Sequence, residues 1–286
     1  ASEAMETYPT GLPFLDRWPG VPAHQFPQQP PWWRWRLPEL VVMAGPYGSG
    51  KSTVGQMLAA GFVTANWETL KSGAMLCSWE DMASEVKRNF SAFSQRTDFN
   101  LLDKVAFVRR PPEADRLIAW YMDLVRYHRE RYGTRFFLLD PWNEMDHQKD
   151  ARMAETDYVK EMMKSLRRLV DELGIILIVS THVSAKNIRG DGTIEPFRIG
   201  HAFGSVQFAN KADRGICVQR SKGIANKDQD FGDSDMGHSI IRLDKSKVER
   251  IMGAKKTVAL RYSPDQFEFK ADIKATKEVS ENIWKD

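Results

Sequence analysis

From Leu40 onward, short apolar runs alternate with longer amphipathic stretches, a pattern that predicts strands separated by helices. Leu40-Val41-Val42-Met43-Ala44 is continuous enough to be a strand buried on both faces. It runs into Gly45 and a glycine-rich turn, and a helix is predicted from about Lys51 to Phe62. Further strands fall on 74–78, 105–108, 136–139 and 175–179, with helices over 81–95 and 113–131 between them. The clearest helix covers 151–173. There Val159, Met162, Met163, Leu166, Leu169, Val170 and Leu173 recur at helical spacing, and Gly174 is a natural stop. Strands alternating with helices predict an α/β fold with a mostly parallel sheet covered on both faces. After Gly215 the texture changes. Short strands at 216–219, 239–243, 257–261 and 266–269, joined by polar turns, predict an antiparallel extension at a sheet edge.

The two ends read differently from this core of residues 39–270. Residues 1–6 resemble a frayed terminus. Pro13, Pro19, Pro22, Pro27, Pro30, Pro31 and Pro38 remove amide donors and fix φ, so residues 1–38 are expected to form an extended arm rather than a helix. Trp32, Trp33 and Trp35 leave two readings open: a plain linker, or an arm whose tryptophans dock on a neighbouring surface. Residues 271–286 are polar and are expected to be loosely held.

Composition narrows the class. The 286 residues are 42% hydrophobic and 28% charged, the mix of a globular protein. No apolar run is long enough to span a membrane, and the N-terminus lacks a basic-then-apolar leader, so a cytoplasmic protein of a bacterial or phage-infected cell is expected. Cys77 and Cys217 by themselves form neither a disulfide framework nor a structural zinc site. The net charge of +3, from 41 basic and 38 acidic residues, is too small to indicate a polyanion partner unless the basic residues are locally concentrated.

The chemistry is more pointed. Gly45-Pro46-Tyr47-Gly48-Ser49-Gly50-Lys51-Ser52 matches the phosphate loop G-x-x-x-x-G-K-[ST] in full, between a predicted strand and a predicted helix. Glycines at 45, 48 and 50 let successive amides, with Ser49 and Thr53, turn around a phosphate. Lys51, expected to be exposed on the loop, reaches the β/γ-phosphates, and Ser52 ligates Mg²⁺. Asp140 ends its strand where open α/β sheets place ligands and suits a second Mg²⁺ anchor. Asp146 and His147 suggest metal binding, though a histidine beside acids is more often surface. Glu80 follows the strand 74–78. If that strand neighbours the phosphate-loop strand, Glu80 stands near the γ-phosphate and can orient the attacking water, with Asp81 its rival. Ser180-Thr181-His182 closes the last parallel strand, so His182 can touch the γ-phosphate and report hydrolysis to the mildly basic loop beyond.

Taken in order, these segments resemble a family. Thr10-Gly11-Leu12-Pro13-Phe14-Leu15-Asp16 is similar to a Thr-Gly-x-x-x-Leu-Asp lead-in. The phosphate loop, Ser78-Trp79-Glu80-Asp81, Leu138-Leu139-Asp140-Pro141-Trp142-Asn143, Ser180-Thr181-His182, Phe203-Gly204-Ser205-Val206-Gln207, Ala212-Asp213 and Val218-Gln219-Arg220 follow. Over residues 8 to 270 this resembles the RecA-fold motor domain of DnaB-type hexameric replicative helicases, in the manner of phage primase-helicases and Twinkle. The resemblance implies an ATP- and Mg²⁺-dependent motor that moves on single-stranded DNA as a homo-hexameric ring, with a primase domain or protein as a further partner. It implies that Glu80 is the catalytic carboxylate, that His182 is the γ-phosphate sensor, and that Arg220 and Tyr262 sandwich the base. It implies that Arg250, in Arg250-Ile251-Met252-Gly253, is the arginine finger. Where the family has lysine two residues before this arginine, the chain has Val248, with Lys247 three before. The segment from Lys186 to Arg198 would be the central-channel DNA loop, contacting DNA through Lys186, Asn187, Arg189 and Arg198. Two rivals stay open: a RecA/KaiC-like ATPase that does not unwind, and a module in which nucleotide only holds an assembly together.

Overall fold

The structure, a computed structural model, describes residues 6–17, 32–109, 118–145, 147, 152–183, 196–202, 206–220, 238–247 and 256–282. The described N-terminal residues, 6–17 and 32–38, are built into the core. Strand β1 (Thr7–Tyr8) pairs antiparallel with β2 (Trp35–Arg36), and α1 (Pro13–Asp16) is a helical turn entered through Pro13. For residues 6–17 the extended-arm expectation is corrected, because proline at the first helical position loses no hydrogen bond, whereas Pro19, Pro22, Pro27, Pro30 and Pro31 lie outside the described residues. The lead-in sequence has a local cause. Asp16 accepts hydrogen bonds from the amides of Thr10 and Gly11 and from the Thr10 hydroxyl, closing the turn. Trp32, Trp33 and Trp35 are all buried. Each such ring removes roughly 150–250 Å² from water, enough to hold the segment down.

The main sheet contains β3 (Glu39–Ala44), β4 (Ala74–Ser78), β5 (Val105–Arg109), β6 (Phe136–Asp140), β7 (Ile176–Thr181), β8 (Arg214–Arg220), β9 (Ser239–Ser246), β10 (Lys256–Ser263) and β11 (Glu268–Ala271). Their order is β11-β10-β9-β8-β3-β7-β6-β4-β5. The strands from β8 to β5 run parallel, and β9 to β11 extend one edge antiparallel. Parallel crossovers put α2 (Lys51–Leu70) and α3 (Ala83–Thr97) on one face. On the other lie α4 (Ile118–Tyr132), α5 (Glu155–Leu173) and α6 (Gln207–Lys211). Alternation along β3 shows the two faces: Val41 and Met43 join the first core, Leu40, Val42 and Ala44 the second.

Helix α2 runs two turns beyond the expected Phe62. The β-branched Val63 and Thr64 weaken a local reading, but packing decides. Gly61 lies so close to the N-terminal segment that a Cβ there would meet the Thr10 carbonyl oxygen at 2.5 Å, and Asn66 Nδ2 donates to the Pro9 carbonyl at 3.0 Å. The loosely held tail is also corrected over residues 271–282. Helix α7 (Ile273–Asn282) buries Ala275 and Val279 against Ile240 and Ala259, and Asp272 caps it by accepting the Ala275 amide at 2.9 Å.

At the edge of the sheet opposite the phosphate loop, Arg214 Nε donates to Glu39 Oε1 at 2.5 Å, with both side chains fully buried. The Arg214 guanidinium lies 4.9 Å from the Trp33 ring centroid and 5.4 Å from that of Trp35. Removing one partner leaves the other charge buried and unpaired. Arg214→Leu is therefore expected to lose about 3–5 kcal/mol in urea unfolding, and Glu39→Leu in the same chain to recover part of that loss. A double variant as unstable as the sum of the singles would show that the pair is not coupled.

Candidate nucleotide site

The phosphate loop leaves β3 at Gly45. A Cβ there would meet the Val218 carbonyl oxygen at 2.4 Å and Ser49 Oγ at 2.6 Å, so only glycine fits. Gly48 and Gly50 adopt φ of +69° and +89°, the left-handed region open to glycine. Gly50 caps α2, whose first amides have no helical partner and make the loop a ready anion cradle. Ser52 and Thr53 stand half-buried in the first turn. Lys51 is not exposed as expected but buried. Its Nζ donates to the Pro46 carbonyl at 2.9 Å and lies 3.3 Å from His182 Nδ1. Burial pulls its pKa down to about 8, against the charges of Asp140 and Glu80.

Four adjacent strand ends, β3, β7, β6 and β4 in that order, converge on this lysine. The strand that carries Glu80 is therefore not the neighbour of the phosphate-loop strand, because β7 and β6 intervene. The chain nonetheless turns back over the edge, where the Trp79 amide donates to the Asp140 carbonyl at 3.1 Å, and Glu80 Oε1 comes within 3.9 Å of His182 Nε2. Burial and then the Asp140 charge raise the Glu80 pKa, and Lys51 opposes them. Burial and the Lys51 charge lower the His182 pKa, which favours a neutral imidazole. Asp81, the rival carboxylate, is tied down: it accepts from Gln56 Nε2 at 2.9 Å, and Gln56 in turn accepts from Asn89 Nδ2 at 2.9 Å. Burial and Asp140 push Asp81 up to about 6.

The residues present fit a nucleotide with its metal. Asp140 is buried, and neither of its carboxylate oxygens has a hydrogen-bond partner among the described residues. A desolvated, unpaired carboxylate beside the first turn of α2 suits a cation or its bound water. Ser49 Oγ is likewise buried without a partner among the described residues. Ser52 and Asp140 would hold Mg²⁺, which supplies charge neutralisation on the phosphates.

A profile of the AAA domain family matches residues 11–187, more than half of the chain. The chain belongs to the AAA domain family. The Twinkle homolog protein, chloroplastic/mitochondrial, of Arabidopsis thaliana is 30% identical over 136 residues, a match spanning 48% of this chain and 18% of that protein. The chain thus matches under a fifth of that relative's length. Among solved structures, the DnaB-like replicative helicase described with its interactions with primase superposes with a TM-score of 0.66 at 14% identity, covering 94% of this chain and 64% of that one. A separately solved ATPase domain gives 0.61 at 16%, covering 81% and 84%. A KaiC-like protein from the archaeon Pyrococcus horikoshii gives 0.58 at 12%, covering 94% and 100%. At these identities the likeness shows the fold, an α/β RecA-like core with antiparallel strands toward the C-terminus. The AAA domain described here is a P-loop ATPase domain of that fold.

The remaining predicted residues of this AAA domain are scattered. Arg220 and Tyr262 end β8 and β10 at the same sheet edge as the phosphate loop, since both strands pair antiparallel with β9 and β8 lies parallel to β3. Arg220 Nε is buried without a partner among the described residues. One side of the Tyr262 ring is taken up by Phe269, at 4.8 Å between centroids. Arg198 is exposed and donates to Asp244 Oδ1 at 3.4 Å, an oxygen shared with Arg242 Nε at 3.1 Å. Lys247 pairs with buried Asp213 at 2.8 Å. Burial alone would raise the Asp213 carboxyl; the Leu40 amide, Lys247 and Arg167 outweigh it and hold it below its ordinary value. His147, suggested as a metal ligand, sits 3.0 Å from both the Tyr158 hydroxyl and the Trp142 carbonyl oxygen. Lys186, Asn187, Arg189, Arg250 and Asp146 lie outside the described residues. The sequence motifs assign no role to Gln56, Asn89 or Asn143. Only Asn143 carried a signal, as a polar residue in the turn just past Asp140.

Proposed function

We propose that this AAA domain is the ATP-hydrolysing motor of a ring-forming DNA helicase that moves on single-stranded DNA. The observation that carries the reading is the convergence of Lys51, Glu80, Asp140 and His182 from four strand ends onto one phosphate loop. Glu80, its pKa raised, is placed to accept the proton of an attacking water, and Lys51 to neutralise phosphate charge. Neutral His182 bridges the two and stands shortly before the segment from Lys186 to Arg198 that would touch DNA. Support for the helicase class comes from the ordered motifs and from the fold shared with the DnaB-like helicase and the separately solved ATPase domain. Six copies, with Arg250 reaching across each interface, and a primase partner complete the proposal.

ATPase activity with Mg²⁺, stimulated by single-stranded DNA and accompanied by strand displacement on a forked duplex, is the expected result. Light scattering with an ATP analogue and DNA is expected to give a ring-sized species. The likeness to the KaiC-like protein, which covers that whole chain, favours a second reading: an ATPase that binds DNA or partners without unwinding. Hydrolysis without displacement by assembled rings would select it.

The DNA loop has its own test. Lys186→Ala with Arg189→Ala is expected to weaken single-strand binding equally for all sequences. It is also expected to make the salt dependence shallower, by roughly one in slope for each phosphate no longer neutralised. Fluorescence anisotropy at several salt concentrations measures both. An unchanged affinity and slope would move the DNA interface elsewhere.

A further inference from the structure

The peptide unit joining Thr181 to His182 is gripped from both sides. Its carbonyl accepts the Gly45 amide, the first of the phosphate loop, at 3.2 Å. Its N–H donates to Asn143 Oδ1 at 2.8 Å, and the same oxygen accepts the Thr181 hydroxyl at 3.0 Å. The strand ladder explains why this grip is needed. Pairing of β7 with β3 runs to Ala44↔Thr181, but pairing with β6 stops at Leu139↔Val179. Beyond that point the chain of β6 turns away at Pro141, and the ladder offers the His182 amide no backbone acceptor on that side. The Asn143 side chain takes the place of the missing strand residue. Since a backbone N–H can only donate, the atom it meets must be the amide oxygen, so the orientation of Asn143 is unambiguous.

Asn143 is itself anchored. It lies in a short 3₁₀ turn (Trp142–Glu144), and buried Trp142 packs against His147 at 4.6 Å and Phe208 at 5.5 Å between ring centroids. The turn follows Asp140 across a single residue, Pro141, which is its N-cap. The backbone that carries the unpaired carboxylate therefore also holds the backbone that carries His182.

We infer that Asn143 is a positioning residue for ATP hydrolysis. It pins the Thr181–His182 peptide so that the imidazole stands between Lys51 and Glu80. The inference rests on the ATPase reading of this site. It assigns no contact between Asn143 and the nucleotide.

Asn143→Ala removes the acceptor, whereas Asn143→Asp keeps an oxygen in the same place. Amide hydrogen exchange at His182, without nucleotide, reads the pin directly. It is expected to speed up by about tenfold in Asn143→Ala, the scale of one lost buried hydrogen bond. ATP turnover is expected to fall by about tenfold or more, while the Kd for a fluorescent ATP analogue stays within about threefold, the pattern of an interaction used in the transition state. Asn143→Asp is expected to restore slow exchange and most of kcat. Thr181→Val, which deletes one of the two bonds and leaves Asn143 in place, gives a milder loss of kcat and covers the case of an Asn143→Ala chain that does not fold. Unchanged His182 exchange, or faster exchange with unchanged kcat, overturns the inference. A wild-type chain that binds ATP in assembled rings but never hydrolyses it overturns the ATPase reading itself, a result distinct from active rings insensitive to Asn143.

Discussion

Lys51→Ala is expected to abolish ATP hydrolysis while the chain folds normally. The Lys51 ammonium reaches both the loop carbonyl of Pro46 and the His182 ring, so phosphate charge would displace contacts already aimed at the site. Loss of one preorganised donor to a transition state costs about 10²–10³ in rate, and loss of a full charge no less. The fold is expected to survive for a reason opposite to exposure. Lys51 is a desolvated cation, and alanine relieves that desolvation. The sign with pH follows. In the folded chain Lys51 gives up its proton near pH 8, in the unfolded chain near 10.5, so between those values the unfolded state binds more protons and stability rises with pH. Urea unfolding at about pH 8 and about pH 9.5 is expected to show this gain in the wild-type chain and a smaller one in Lys51→Ala. Near-wild-type ATP turnover in the variant would sink the assignment of Lys51.

Arg250→Ala is expected to keep nucleotide binding and lose hydrolysis by about 10³-fold, the scale of a transition-state arginine supplied across an interface. Arg220→Ala is expected to weaken nucleotide binding instead, because Arg220 sits at the phosphate-loop edge of its own chain. Lys247, three residues before Arg250, pairs with Asp213 at 2.8 Å. Mixing experiments separate action within one chain from action between chains. Rings of Arg250→Ala and Glu80→Ala chains are expected to recover part of the activity, since some interfaces then join an intact Glu80 to an intact Arg250. Stable mixed rings that stay inactive would place Arg250 in its own subunit's site or outside catalysis.

Local order made much of this legible in advance. The phosphate loop is a contiguous stretch whose glycines are dictated by backbone angles and by one close approach at Val218, so the motif carries its own geometry. The parallel strands declared themselves because burial on both faces demands unbroken apolar runs. Helix α5 was readable from its spacing, and its stop at Gly174 from the left-handed angle that glycine accepts, φ +59°. Asp140 could be placed at a strand end, but that both its oxygens are buried and unpaired among the described residues was not visible in a string of residues.

Tertiary structure decided what depends on partners distant in the chain. The polar tail hid a helix because Ala275 and Val279 acquire meaning only against Ile240 and Ala259. The proline-rich opening looked like an arm because the Trp33 and Trp35 rings find their cation, Arg214, some 180 residues later. Strand order placed β7 and β6 between the loop strand and the Glu80 strand, and no periodicity encodes that order. The site itself is the sharpest case. Sequence alone supplied the residue types of a nucleotide-hydrolysing centre, since phosphate chemistry demands a lysine, a hydroxyl and carboxylates in fixed local motifs. Which carboxylate reaches His182, which one Gln56 ties down, and that Asn143 holds the peptide between them were settled only when four strand ends met at one edge.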